Sequence, residues 1–472
     1  MQSSALQAGL GALVGAQHVL TPSPGSPYNY DASARRGVVG RADAVVLPGD
    51  ATEVAAVVAW CYEHDVPIVP RGGGTGLVGG AVASDGGVVL SLERLRRVRE
   101  LEPGLWRMLP EAGVRTRDVQ RLARENGLLF GPDPGGAEQS QIGGNVATNA
   151  GGPHALKYGV TGAWVTGLEA VLAPGELVAI GGWIRKDVAG YDIKDLLIGS
   201  EGTLGVITAV RLRLLPAPEA ALACVVFLRD RGEGCEAIAA TFAAGLRPSV
   251  LDFLDGPTLA ITARSYPAAR ACGAGGSAGA DAAGIPEGAG FALIVEMDGS
   301  YAEAQAGRAE LLELLADRAI AAQEPLDSAA LWRWRDAINP VVTAARGAKV
   351  SGDVVFPLEH LQKALEGFEQ ISERHALRSC AWGHGGEGNV HATVLVDPES
   401  ARELDAAEAV SEDLYALVAE LGGSIAGEHG VGVLKRGRLR SQWAPRAVEL
   451  HEEIKRAFDP KGLLNPGKKL AR

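Results

Sequence analysis

The chain has 472 residues, 47% of them apolar and 22% charged, a balance that excludes a disordered polypeptide. Its length predicts two or three domains. Asp and Glu outnumber Lys and Arg by 57 to 45, and the net charge of −12 argues against a nucleic-acid surface.

Cys61, Cys224, Cys235, Cys272 and Cys380 show neither a C-x-x-C pair nor metal spacing. They are expected to be reduced thiols, and an iron–sulfur cluster is not expected. No apolar run is long enough to span a membrane. The opening "MQSSALQAGLGALVGAQHVLTP" lacks a basic n-region and repeats its apolar residues at helical spacing. An N-terminal helix is expected, and a cytoplasmic location, with any membrane association made through a partner.

In "AVVLPGDATEVAAVVAWCYEHDVPIVPRGGGTGLVGG" (44–80) the pattern runs strand, helix, strand, glycine loop. Thr52 reads as the helix N-cap, and Val54, Val57, Val58 and Cys61 give one apolar face. "GVVLSL" (87–92) reads as a further strand, and "TRDVQRLARENGLLF" (116–130) as an amphipathic helix closed by Gly127. Two more glycine-rich blocks follow, "GPDPGGAEQSQIGGNVATNAGG" (131–152) and "KDVAGYDIKDLLIGSEGTLGVIT" (186–208), and "PAPE" (216–219) reads as a boundary. Residues 273–290 are small-residue low complexity, expected as a surface loop. Residues 399–421 predict a helix with a stripe of Leu404, Val410, Leu414, Leu417, Val418 and Leu421, ended by Gly422 and Gly423.

The loop at 70–80 carries six glycines, Gly72, Gly73, Gly74, Gly76, Gly79 and Gly80, more than a turn needs. Such a stretch can aim successive backbone N–H groups at an anion. It is not a Walker loop, since no G-K-[ST] follows, and a strand rather than a helix comes next. With the other two blocks it offers backbone donors plus Asn145, Thr148, Asn149 and Glu201, a set that one large cofactor would satisfy.

"PRGGGTGLVGG", "QIGGNVATNAGG" and "GYDIKDLLIGSEGTLGVIT" together resemble the FAD-binding domain of the vanillyl-alcohol-oxidase-type flavoproteins. The chain from about Asp43 to "NPGKKL" (465–470) is similar to their D-2-hydroxyacid dehydrogenase branch, which includes cytochrome-type D-lactate dehydrogenase, the glycolate oxidase flavoprotein subunit and D-2-hydroxyglutarate dehydrogenase. The resemblance implies an α+β architecture. Residues 1–218 would form an N-terminal helix and a two-subdomain FAD-binding domain. Residues 219–472 would form an α+β substrate and metal domain with a helical C-terminal segment. It further implies that Arg71, Gly72, Gly73, Gly74, Thr75, Gly76 and Leu77 hold the FAD pyrophosphate. Pro134, Gly144, Asn145, Thr148, Asn149, Gly151, Gly152, Glu201, Gly205, Val206 and Ile207 would line the rest of the cofactor. Some relatives tether flavin to a histidine in the first loop; this loop has Thr75 and no histidine, so FAD is expected to be non-covalent.

"HGGEGNVH" (384–391) lies between strand-like runs, so "GGEG" (385–388) predicts a hairpin turn with His384 and His391 opposed across it. That placement suits two imidazoles on one metal, and "GEHGVG" (427–432) offers an acid beside a histidine as further groups. By the resemblance His384, His391 and Glu428 bind a divalent metal, and His429 takes the substrate hydroxyl proton. Glu387, where relatives commonly carry Asp, falls in the turn. Two imidazoles and a carboxylate suit zinc, manganese, cobalt or ferrous iron, with zinc preferred because no redox change is required. Family segments matching "LWRWRDAI" (331–338) and "AKVSGDVVFP" (348–357) place Arg335 and Lys349 near the substrate, with Asn389 as a third contact.

The expected reaction is oxidation of a small D-2-hydroxyacid by hydride transfer to FAD. Electrons would leave to a carrier protein, quinone or cytochrome; the oligomeric state stays open, a homodimer among the options. The alternatives are a non-redox flavin enzyme of the alkylglycerone-phosphate synthase type and an electron-relay subunit. The first carries a run of adjacent histidines that this sequence lacks.

Overall fold

The computed structural model describes residues 3–272 and 284–470, so the tract 273–283 of the expected surface loop lies outside the described residues. By its internal contacts the chain forms two compact units. The first holds residues 1–151, 159–217 and 428–472; the second holds 152–158 and 218–427. The break at Ala217/Pro218 falls within "PAPE". The single second unit expected over 219–472 differs from this division in its last part, because residues 428–472 pack into the first unit. There Ile68 bridges Leu464, the Tyr62 hydroxyl donates to Asp459 at 2.9 Å, and Asn465 Nδ2 donates to the Gly80 carbonyl at 2.9 Å.

Among the described residues the first unit has a four-stranded sheet, a five-stranded sheet and a two-stranded one that pairs Leu128–Leu129 with Leu215–Pro216. In the four-stranded sheet the order is Val19–Leu20, Ala44–Val46, Val88–Ser91, Ile68–Arg71, the last three strands parallel. Helix Ala51–Glu63 provides the crossover that parallel strands require. Its Val54, Val57, Val58 and Cys61 are fully buried against Leu6 and Leu10 of helix Ser3–Val14 and against Val46, Ile68 and Val88. Burying each such side chain contributes about 1.5–3 kcal/mol, so this one face outweighs the weak helix propensity of its valines. The cap is Asp50 rather than Thr52: its carboxylate accepts from the N–H groups of Thr52 and Glu53, both at 2.9 Å. An N-cap needs extended backbone outside the helix, and Thr52 is already inside it.

The five-stranded antiparallel sheet has the order Val98–Glu102, Arg107–Pro110, Val206–Arg213, Val165–Leu172, Glu176–Gly181. The second glycine block is not all loop: Ile142–Thr148 is helical, with Ile142, Gly143, Asn145 and Val146 buried. The helix expected at 116–130 stops at Glu125, and Gly127 turns the chain into the short strand Leu128–Leu129.

The second unit is an eight-stranded antiparallel sheet. Its order is Ala269–Ala271, Ala321–Pro325, Ala220–Leu228, Phe291–Gly299, Val250–Asp255, Arg378–Gly383, Asn389–Val396, Ala348–Val355. Strand alternation divides the last three strands into two faces. Val350, Val354, Val390, Ala392 and Val394 point one way, toward helices Leu361–Arg374 and Ala401–Glu420. The other face joins a core with Leu331 and Trp334 of helix Ser328–Asp336 and with Ile338 and Val342 of helix Ile338–Ala344. Within Ala401–Glu420 the stripe is buried at Val410, Leu414 and Val418, whereas Leu404 stays exposed near the open end.

Candidate functional site

In the second unit the polar side chains collect where the alternation turns them to the face covered by Ser328–Asp336. The register sets His391 opposite Trp382 on one side and opposite Asp353 on the other. Lys349, Ser351 and Asp353 on the edge strand therefore share a face with Asn389, His391 and Thr393. The two histidines are not cross-strand partners, as expected from the hairpin alone. His384 begins the turn instead, one residue past the end of its strand, because Gly385–Glu387 forms a 3₁₀ turn and Gly388 takes φ +68°. A side chain at Gly388 would lie 2.0 Å from the Phe356 carbonyl oxygen, so the turn depends on that glycine. The rings still meet, with centroids 5.7 Å apart and planes at 83°. Both imidazoles are buried.

Two acids that sequence reasoning missed complete this cluster. Asp252, on the strand Val250–Asp255, is 2% exposed. Its Oδ1 is 2.7 Å from His384 Nδ1, and its Oδ2 accepts from Arg335 Nε at 2.8 Å. Burial alone would raise this carboxyl, but the charges of His384 and Arg335 and their hydrogen bonds outweigh it and hold Asp252 down at about 2. Three residues along the same strand, Asp255 behaves oppositely. Burial pushes it up to about 6 against the backbone N–H groups of Thr258 and Ala381. Asp353 accepts from Asn389 Nδ2 at 2.9 Å and from the Gly427 N–H at 3.1 Å. Asn389 Nδ2 also reaches the Val354 carbonyl at 3.0 Å, which fixes the amide and leaves its Oδ1 buried without a partner among the described residues. The sequence signal for both acids was present: "VLDFLD" sets an acid in an apolar strand, and "KVSGD" alternates polar residues along one face.

Arg335 rides on Ser328–Asp336, a helix capped by Asp327 and seated by Leu331 and Trp334, whose indole N–H donates to the Thr262 carbonyl at 3.2 Å. Lys349 Nζ lies 4.7 Å from the centre of the Trp382 ring and donates to Ser351 Oγ at 2.9 Å. Thus Arg335, Lys349, Asn389, His384 and His391 all belong to one face of one sheet and its covering helix.

In the first unit the expected cofactor residues fall into two groups. Arg71 is buried, and its guanidinium donates to the Tyr30 carbonyl at 2.6 Å and the Pro27 carbonyl at 3.0 Å, so its side chain organises the neighbouring loop. Among the described residues no hydrogen bond is donated by the backbone N–H of Gly72, Gly73, Gly74, Thr75, Gly76 or Leu77. Gly73 packs so closely that a Cβ would lie 2.1 Å from the Gln139 carbonyl oxygen. A run of backbone donors, closely packed at Gly73, fits an anionic pyrophosphate. Gly144, on helix Ile142–Thr148, faces open space.

The second group is engaged within the protein. Asn145 donates to Thr116 Oγ1 at 2.6 Å, Thr148 to the Gly144 carbonyl at 3.0 Å, and Asn149 accepts from the Gly162 N–H at 2.8 Å. Glu201 accepts from the N–H groups of Val431 and Gly432, at 2.9 and 2.8 Å, and so holds the backbone just after His429. Glu428 Oε2 lies 3.2 Å from where a Cβ on Gly151 would sit, and Glu428 Oε1 is 3.5 Å from His429 Nε2. Val206 and Ile207 are buried in the strand that pairs with Val171 and Ala170, and Gly205 directly precedes it. Pro134 lies in the loop ahead of helix Ile142–Thr148, and Gly152 belongs to the short segment of the second unit. Among the described residues no helix is long and apolar enough to cross a membrane.

A family model described as "FAD linked oxidases, C-terminal domain" matches residues 217–469, and one described as "FAD binding domain" matches 42–181. The chain is 33% identical to the glycolate oxidase subunit GlcD of Bacillus subtilis, over 94% of this chain and 92% of the relative. It is 32% identical to D-lactate dehydrogenase of Anaerostipes hadrus, over 93% of this chain and 92% of the relative. With D-2-hydroxyglutarate dehydrogenase of Xanthomonas citri the identity is 33%, over 90% and 88%. Among solved structures, p-cresol methylhydroxylase superposes with a TM-score of 0.82, covering 99% of this chain and 97% of that one at 17% identity. That likeness shows the vanillyl-alcohol-oxidase-type fold expected from the glycine blocks.

Proposed function

The chain belongs to the FAD-linked oxidase family and is an FAD-binding oxidoreductase, and we infer its reaction from that membership and from the site. We propose that it oxidises a D-2-hydroxyacid of the lactate, glycolate or 2-hydroxyglutarate class to the 2-oxoacid. The observation that carries this reading is the sheet face that gathers two buried imidazoles, an arginine, a lysine and an oriented asparagine. Relatives named for three hydroxyacid substrates, each matching at least 90% of the chain, support it.

FAD is proposed to bind non-covalently, its pyrophosphate against the N–H groups of Gly72–Leu77. A divalent metal, zinc by preference, is proposed on His384 and His391, with Glu428 as the third ligand. The donor set fits such an ion: two crossed, buried imidazoles and a carboxylate are the ligands borderline cations prefer. When bound, FAD supplies a hydride acceptor and the metal a Lewis acid. The protein's own groups do the rest. Arg335 and Lys349 bind the substrate carboxylate, for which the arginine fork is well shaped. Asn389, its amide fixed by Asp353, is a third substrate contact on the same sheet face. His429 takes the proton from the 2-hydroxyl oxygen while the C2 hydrogen would pass, with its bonding pair, to the hydride acceptor that FAD supplies, and the C2–O bond becomes a carbonyl. Electrons would leave to a separate acceptor, a carrier protein, quinone or cytochrome.

The test is anaerobic. The purified protein should show an oxidised-flavin spectrum that D-lactate, glycolate or D-2-hydroxyglutarate bleaches, and denaturation should release FAD into the supernatant. If none of these acids, nor any other D-2-hydroxyacid, bleaches the flavin, the proposal fails. Colour that stays with the precipitated chain would overturn the non-covalent assignment. Alkyldihydroxyacetonephosphate synthase shares the fold, with a TM-score of 0.74 at 17% identity. No two histidines of this chain are adjacent in sequence, which removes the feature that would favour that chemistry.

A further inference from the structure

We propose that Asp252 is a positioning residue which, with its two carboxylate oxygens, sets both the metal-facing nitrogen of His384 and the substrate-facing edge of Arg335. This rests on the reading of His384 as a metal ligand and Arg335 as the carboxylate anchor. A carboxylate only accepts, so the 2.7 Å contact puts the ring proton of His384 on Nδ1 and leaves the lone pair on Nε2. Arg335 Nη2 stands 3.5 Å from the same Nδ1, too far to compete for it. On its other oxygen Asp252 takes the Nε–H of Arg335 at 2.8 Å, which fixes the guanidinium plane, with Nη2 beside His384 and Nη1 3.8 Å from Asp336 Oδ1. Asp252 itself cannot wander. It lies on a central strand opposite Ile294, between the buried Leu251 and Phe253. Metal-ligating histidines depend on such partners for tautomer and orientation. Here the partner also holds the substrate anchor, so one side chain aligns two separate binding events without touching either ligand. A buried ion pair is by itself a poor stabiliser, since well-packed apolar groups often replace one without loss. Removing Asp252 alone leaves the Arg335 charge buried and uncompensated, so metal and substrate binding are compared among variants that remain folded.

The experiment compares the wild-type flavoprotein with Asp252→Asn, Arg335→Met and the double variant. Zinc and manganese affinities are measured by equilibrium dialysis, with FAD per chain, and KM and kcat are measured at saturating metal. Asp252→Asn should weaken metal binding about 10–100-fold and raise KM, with FAD unchanged. Arg335→Met should raise KM and leave metal affinity as in the wild type. The double variant should bind metal as weakly as Asp252→Asn. If Asp252→Asn misfolds around its unpaired arginine, the comparison of the double variant with Arg335→Met decides, because neither carries that charge. Metal bound equally tightly by all four proteins would overturn the inference while leaving the catalytic reading intact. A wild-type protein that binds no divalent metal would overturn the catalytic reading and this inference with it.

Discussion

The loop after Ile68–Arg71 and the polar face of the eight-stranded sheet both gather hydrogen-bonding groups for a ligand, by opposite means. In the loop the groups are backbone N–H, and four of the six residues at 72–77 are glycines without side chains. On the sheet they are side chains, and the backbone is consumed in ladders that fix where each one points. A glycine cradle therefore has little tolerance for added atoms and little dependence on charge. A side-chain face tolerates reshaping but depends on which group holds which proton.

The glycine cradle is most vulnerable at Gly73. Gly73→Ala places a methyl group 2.1 Å from the Gln139 carbonyl oxygen, so the loop must rebuild. FAD per chain, read from the visible spectrum, should fall to near zero while far-UV circular dichroism is retained. A variant that keeps its flavin would show that the backbone cradle is not what holds it.

Next in size are the neighbours Glu428 and His429. Glu428→Gln should lose the metal and keep FAD. His429→Asn should keep both and slow flavin reduction about 10²–10⁴-fold in anaerobic stopped flow. Metal lost with His429 but kept with Glu428 would exchange the two roles.

A smaller effect separates two acids on one strand. Asp255 is pushed up to about 6 by burial, so the native state keeps its proton to higher pH than the unfolded chain does. Its contribution is most favourable below the ordinary carboxylate range, declines as pH rises toward about 6, and is level above that. The total is on the order of 3 kcal/mol. Urea denaturation at pH 4.5 and pH 7 should show this decline in the wild type and not in Asp255→Asn. An equal pH dependence in both proteins would show that Asp255 is ionised throughout.

The smallest test concerns a helix cap. Asp50→Ala should cost about 1 kcal/mol, because the N–H groups of Thr52 and Glu53 lose their acceptor, whereas Thr52→Ala should cost far less. The reverse order would restore the cap read from sequence.

That misplacement shows what the sequence could reveal. The apolar face of Ala51–Glu63, the glycine cradle, the turn in "HGGEGNVH" and the break near "PAPE" are local patterns, and local physics makes them readable. The helix at Ile142–Thr148 was hidden because its glycines suggest a loop, whereas its buried Ile142 and Val146 and the Asn145–Thr116 hydrogen bond anchor it. The opposed histidines failed because register depends on the conformation of the turn, which put Trp382 rather than His384 across from His391. Asp252 stands out as an acid in an apolar strand, but its role was hidden for a different reason. It stands 132 residues before His384, and nothing near "VLDFLD" announces the imidazole it will meet.

The return of residues 428–472 to the first unit has a consequence for biogenesis. Asp459 bonds to Tyr62 across a sequence separation of 397, and Leu464 is wholly buried against the first sheet. During synthesis the chain emerges N-terminus first, so the strands at 44–91 leave the ribosome long before the segment that covers them. Contacts this distant in sequence form late, because the loop they close must first give up its freedom. The glycine-rich half of the protein therefore waits, incompletely covered, while residues 218–427 can already build their sheet. In that interval chaperones, and a flavin taken up early, have the most to protect.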